Sequence, residues 1–89
     1  MKAVVTVMGI DKTGIIAKVS TCLADHNINI LDINQTTMQN IFTMVMLVDI
    51  KHSKESFSVI SDKLSEIGKN IGVEIRIQLE SIFEAMHRI

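Results

Sequence analysis

The residues of this chain best suited to chemistry lie in one short segment, Gly9-Ile10-Asp11-Lys12-Thr13-Gly14-Ile15-Ile16-Ala17. Gly14 allows close approach to backbone N–H groups at the start of a helix, and unpaired amides there attract an anion such as a carboxylate. Asp11 can meet an ammonium from the same side. A molecule carrying both charges, an α-amino acid, is what that pairing could hold. The same residues also fit a structural part, in which Thr13 or Asp11 caps the helix and Gly14 permits tight packing. Taken alone, the residues favour the structural part, which is common at strand-to-helix turns.

The other reactive side chains are dispersed. His26, His52 and His87 fall at a helix end, in a loop and in the carboxyl-terminal segment, with no i, i+4 pair to chelate a metal. Cys22 is the single cysteine, so neither an intrachain disulfide nor a thiolate metal cage can form, and on the apolar stripe of a helix it reads as packing. Met44 and Met46, with Met38 nearby, could make a soft-metal site or a plastic interface, but alternating methionine in a strand more often fills a core. No nucleophile and base can be gathered, so no catalytic residue, metal or cofactor is expected and the chain does not read as an enzyme.

The elements that must position the loop follow from periodicity. Residues 3 to 8 are short, β-branched and bounded by Gly9, which reads as a buried strand. Ile15, Ile16, Val19, Cys22 and Leu23 have helical spacing, and that helix should end near His26-Asn27. Residues 28 to 38 read as a second strand, with Leu31, Ile33, Gln35 and Thr37 on one side and Ile30, Asp32, Asn34 and Thr36 on the other. Gln39-Asn40 is a hairpin-sized loop, and residues 41 to 50 form a nearly continuous apolar strand that should be central. Ser53 can cap a second helix whose stripe is Phe57, Ile60, Leu64, Ile67 and Ile71; Gly68 weakens its last turn and Gly72 can end it. Residues 73 to 79 alternate as a half-exposed strand, and residues 80 to 89 add a short helix through Ile82, Phe83, Met86 and Ile89, which is expected to dock on the bare sheet face.

This order, βαββαβ, calls for a ferredoxin-like α+β fold: a four-stranded antiparallel sheet with two helices on one face, plus the short C-terminal helix. Eighty-nine residues close one core, so a single domain over 1–89 is expected, with a core at 2–79 and a helical extension at 80–89. Apolar residues at 47% against 21% charged exclude a disordered chain. The net charge of −1 gives no field for nucleic acid or anionic lipid, and no stretch approaches the roughly 20 apolar residues that span a bilayer. A reducing cytoplasm suits the lone thiol. Within this fold, a metal chaperone would want paired cysteines in the first loop, an RNA binder aromatic side chains on the sheet, and an acylphosphatase-like site an arginine in the first loop. Residues 9 to 14 contain neither Cys nor Arg, and Phe42 is the only aromatic residue in the four strands.

Over residues 2 to 79 the chain resembles the ACT domain family, the amino-acid-binding regulatory modules, and most of all its small standalone bacterial members. The motif resembled is Asp11-Lys12-Thr13-Gly14-Ile15 in the first loop, followed by Asn29-Ile30 at the head of the second strand. In the serine-sensing members, the first loop of one subunit and the Asn of its neighbour hold the effector; Asp11, Gly14 and Asn29 match those places. With Lys12, Thr13 and Ile15 beside them, these are the ligand-binding candidates. Gly9 stands where that type has a ligand-contacting His, and Asp11 replaces an Asn, so the resemblance implies an amino acid without implying serine. It implies a homodimer, and a regulated protein in trans, since nothing resembles an attached enzyme domain. The other class it allows is an assembly module that mediates protein–protein contact with no small ligand.

Overall fold

The structure, a computed structural model, describes residues 1–87. Its elements are β1 (Lys2–Ile10), α1 (Ile15–Asp25), β2 (Asn29–Met38), β3 (Ile41–Asp49), α2 (Phe57–Ile71), β4 (Val73–Leu79) and α3 (Glu80–His87). The four strands form one antiparallel sheet in the order β2-β3-β1-β4. This is the βαββαβ arrangement expected from the periodicities, with β3 and β1 central. The apolar run of β3 is explained by that place, because a central strand is flanked on both edges and covered on at least one face.

The core lies between the sheet and the two longer helices. Val5 and Val7 of β1, Met44, Met46 and Val48 of β3, Val19 and Leu23 of α1, and Ile60 and Leu64 of α2 are all buried. Met44 and Met46 are therefore packing residues, whereas Met38, at the hairpin end of β2, is 71% exposed and does not join them. Cys22 is also part of the core, and burial, followed by the neighbouring carboxylate of Asp25, pushes its thiol above the ordinary range while Lys63 partly opposes this.

The second strand departs from simple alternation. A bulge between Ile30 and Asp32 inserts Leu31, so Ile30 pairs with Val48 and Ile33 with Met46, both partners on the core face. One extra residue reverses the sense of a period-two pattern, and Ile30 therefore shares a side with Ile33, Gln35 and Thr37 instead of opposing them. Every residue of β2 is exposed except the half-buried Ile30, because the strand lies at the sheet edge beyond the cover of the helices.

Helix α2 begins three residues later than Ser53 would place it. An N-cap must directly precede the first helical residue, and Ser56 does so, its Oγ accepting a hydrogen bond from the Val59 N–H. The Ser53 hydroxyl instead accepts from Glu55 N–H in the preceding turn. The helix runs through Gly68 and ends at Gly72. α3 packs against β1 and β4 and, among the described residues, against neither α1 nor α2. Phe83 is half-buried there, but Ile82 is 50% exposed and so is not a docking residue within this chain. The side chain of Met86 and all of Ile89, expected to dock as well, lie outside what the structure describes.

Candidate ligand-binding site

The turn from β1 into α1 is held open by backbone geometry. Gly14 precedes the helix at φ 93°, a left-handed conformation that strains any residue with a Cβ, and no side chain caps the helix. Neither Asp11 nor Thr13 takes the capping part that the sequence allowed. The first helical bond runs from Lys18 N–H to Gly14 O, so the amides of Ile15, Ile16 and Ala17 have no partner within the helix. A Cβ built on Gly14 would meet nothing within 4 Å, which leaves the approach to those amides clear.

Asp11, Lys12, Gly14 and Ile15 line one open groove with Ile16, Ala17 and Phe42, about 390 Å³ in volume. The Asp11 amide donates to the Asn40 carbonyl at 2.9 Å, which ties the loop to the β2–β3 hairpin and leaves the exposed carboxylate projecting from a fixed backbone. Lys12 is committed elsewhere: its Nζ donates to the Ile71 carbonyl at 2.8 Å, at the end of α2, where a cation also suits the helix dipole. Ile15 is 2% exposed, so its side chain belongs to the core and only its backbone is offered to a ligand. Thr13 is exposed in the turn and does not line the groove. Three lining residues lie outside the candidates of the sequence reading, Ile16, Ala17 and Phe42; the hairpin register Gly9↔Phe42 brings Phe42 beside the loop, a long-range pairing that local spacing does not reveal.

Asn29 is not in this groove. It pairs with Asp49, which in turn pairs with Lys2, at the opposite end of the sheet. From Lys2 to Ile10 is eight residue steps, or roughly 26 Å at about 3.3 Å per step. Within one copy of the chain, Asp11 and Asn29 therefore cannot hold the same small molecule. Beside Asn29, the Lys51 N–H donates to the Asp49 carboxylate at 3.0 Å and the terminal ammonium of Met1 stands 3.5 Å away, which holds that carboxyl below its usual range. Gly9 faces Val73, where a Cβ would come within 2.7 Å of Val73 Cγ1. The place that the serine-sensing proteins give to His is thus closed by strand packing.

The remaining reactive groups make a different neighbourhood. His26 Nδ1 lies 2.8 Å from the Cys22 carbonyl and 3.9 Å from Cys22 Sγ, on a groove between α1 and α2 with Asp25 and Lys63. Among the described residues, no group of three or more His, Cys, Asp and Glu is gathered that could hold a metal ion. No helix in the described residues is long and apolar enough to cross a membrane.

Comparison with known proteins agrees with this architecture. Residues 2–78 match the ACT domain family. A UPF0237 protein of Clostridium acetobutylicum is 55% identical over 89 residues, covering 100% of both chains. An ACT domain protein from Streptococcus pneumoniae has a solved structure of TM-score 0.82 at 41% identity, covering 98% of each chain. The regulatory subunit of aspartate kinase from Thermus thermophilus, in a ligand-free form, gives TM-score 0.67 at 25% identity, over 86% of this chain and 50% of that one. ACT domains are regulatory, ligand-binding modules. With the family matched over residues 2–78 and a full-length relative at 55% identity, this chain belongs to the ACT domain family.

Proposed function

We propose that this protein is a regulatory module, not an enzyme, that senses a small α-amino acid at the interface of a homodimer and passes the signal in the cytoplasm to a regulated protein in trans. The observation that carries the reading is the open start of α1: three amides without helical partners, an unobstructed Gly14, and the exposed Asp11 carboxylate on one groove. The amides suit the ligand's carboxylate and Asp11 its ammonium. Phe42, Ile16 and Ala17 supply apolar walls for its side chain.

On the premise that Asp11 and Asn29 touch one ligand, their separation requires two copies of the chain. The outer edge of β2 has no strand partner among the described residues, and Leu31 and Ile33 on it are each 43% exposed. Such an edge is a template for another strand. Antiparallel pairing of two β2 edges centred near Gln35 sets the partner's Asp32 opposite Met38. The partner's Asn29, three residues further on, then reaches the hairpin to which Asp11 is tied. That completes a pocket from two copies.

Commitment of Lys12 to Ile71 favours a second reading, an assembly module without ligand, because it removes one cation from the anion side of the groove. A thermal-shift screen of the twenty amino acids separates the two. A ligand at a hundred times its Kd raises stability by about 2.7 kcal/mol, so one or a few amino acids should raise Tm; silence across the panel supports assembly alone.

A further inference from the structure

The loop that carries Asp11 is also tied to the end of α2. Lys12 lines the ligand groove, yet its Nζ donates to the Ile71 carbonyl at 2.8 Å, in an exposed bond. Ile71 is the last residue of α2, and its carbonyl is one of the four that a helix leaves without an internal partner. Gly72 follows at φ 77°, with its N–H donating to the Gly68 carbonyl. A Cβ on Gly72 would stand 2.7 Å from Lys12 Nζ, so the ammonium lies over the helix end and glycine leaves it room there. Val73, the next residue, is closely confined: a Cβ on Gly68 would stand 2.6 Å from the Val73 carbonyl oxygen, and one on Gly9 would stand 2.7 Å from Val73 Cγ1. Loop, helix end and strand start thus meet in one corner with little slack, and packing that dense passes a displacement on instead of absorbing it.

We infer that Lys12 is the relay of the site: the carboxylate of an amino acid at the start of α1 draws its ammonium off the Ile71 carbonyl, and the last turn of α2 loosens in step. This rests on the reading of the loop as an amino-acid site. Two acceptors compete for one ammonium. The Ile71 carbonyl is neutral, whereas a ligand carboxylate adds the attraction of a full opposite charge. Because the bond to Ile71 is exposed, water takes over the released carbonyl at small cost, so the free protein sits near balance and a ligand can tip it. The ligand meets Lys12 only in the released state, which is the differential contact that a ligand-driven change requires. Its effect reaches beyond the ligand groove, since Asn70 and Ile71 border the groove between α1 and α2, and Ala17 borders both.

The test is amide hydrogen exchange by NMR on the full chain, with the twenty free amino acids added singly and sodium chloride at equal ionic strength as the control. With an amino acid that raises Tm, exchange at the Gly72 N–H should quicken several-fold while core amides such as that of Val5 slow, because local opening and global stability then move in opposite directions. In Lys12→Met the Gly72 amide should exchange fast without any amino acid and stay unchanged on adding one, with affinity about tenfold weaker for the lost charge-assisted bond. Lys12→Arg, which keeps a cationic donor, should restore the response to ligand. Should Lys12→Met not fold, the wild-type comparison decides by itself. A bound amino acid that leaves Gly72 exchange unchanged overturns the relay, as does one that slows it, since the ammonium would then hold carbonyl and ligand together; both results leave the amino-acid site standing. A panel in which no amino acid raises Tm or shifts a loop amide removes the site and the relay with it.

Discussion

The two long helices begin in opposite ways. α2 starts behind Ser56, whose hydroxyl accepts from the Val59 amide, so its first turn carries a side-chain cap. α1 starts behind Gly14 in a left-handed conformation with no capping side chain, and three amides are left facing a groove. In a fold built from two similar strand–helix halves, one junction carries a side-chain cap and the other carries none. The lesson is that the place where a ligand would act is marked by a missing local bond.

The largest expected effect comes from closing the open junction. Gly14→Val puts a β-branched residue at φ 93° and should cost about 2 kcal/mol, read by chemical denaturation, while its side chain obstructs the amides and abolishes amino-acid binding in calorimetry. Normal binding by this variant would break the contrast. Asp11→Ala comes next: it should leave stability within about 0.5 kcal/mol but weaken affinity by about tenfold or more, since a charge-assisted hydrogen bond contributes roughly 1.5 to 3 kcal/mol. Ser56→Ala is the mirror experiment at the capped junction. Loss of the cap should cost about 1 kcal/mol and leave affinity for any amino acid unchanged, and a Tm equal to wild type would show that α2 does not rely on its cap.

The smallest effect sharpens the comparison at the far end of the sheet. The Asp49 carboxyl is held low by Lys51 N–H and the terminal ammonium, so its contribution to stability is present above the unfolded carboxylate value and disappears as pH falls through the lower folded value. Melting curves of Asp49→Asn and wild type should therefore differ slightly at neutral pH and converge in acid. Curves that stay apart in acid would contradict the pairing.

Much of the architecture was legible because each core element keeps one period. The alternation of Val73, Ile75 and Ile77 and the stripe of Ile60 and Leu64 are local signals, and all five are buried. β2 was misread where locality fails: a single inserted residue, Leu31, reverses the faces, and no composition cue marks a bulge in Ile-Leu-Asp-Ile. Ser53 and Ser56 both precede an apolar stripe, and only the hydrogen bond to Val59 decides between them. The candidate site divides the same way. Asp11, Gly14 and Ile15 are neighbours in sequence and share a groove, whereas Phe42 enters through strand register and Lys12 leaves through its bond to Ile71. Asn29, at the other end of the sheet, could be joined to the loop only by the resemblance, since no spacing rule links them.

The most direct test of the shared pocket is calorimetry on a mixed dimer of Asp11→Ala and Asn29→Ala, using the amino acid that raises Tm most. If the loop of one copy and Asn29 of the other complete each pocket, each homodimer loses binding, while the mixed dimer places both lesions in one pocket and recovers about half of the wild-type sites. Recovery of no sites, with mixed dimers present by native mass spectrometry, would mean that both residues serve the same pocket from one subunit, which the separation of roughly 26 Å along the sheet forbids. That result would contradict the account.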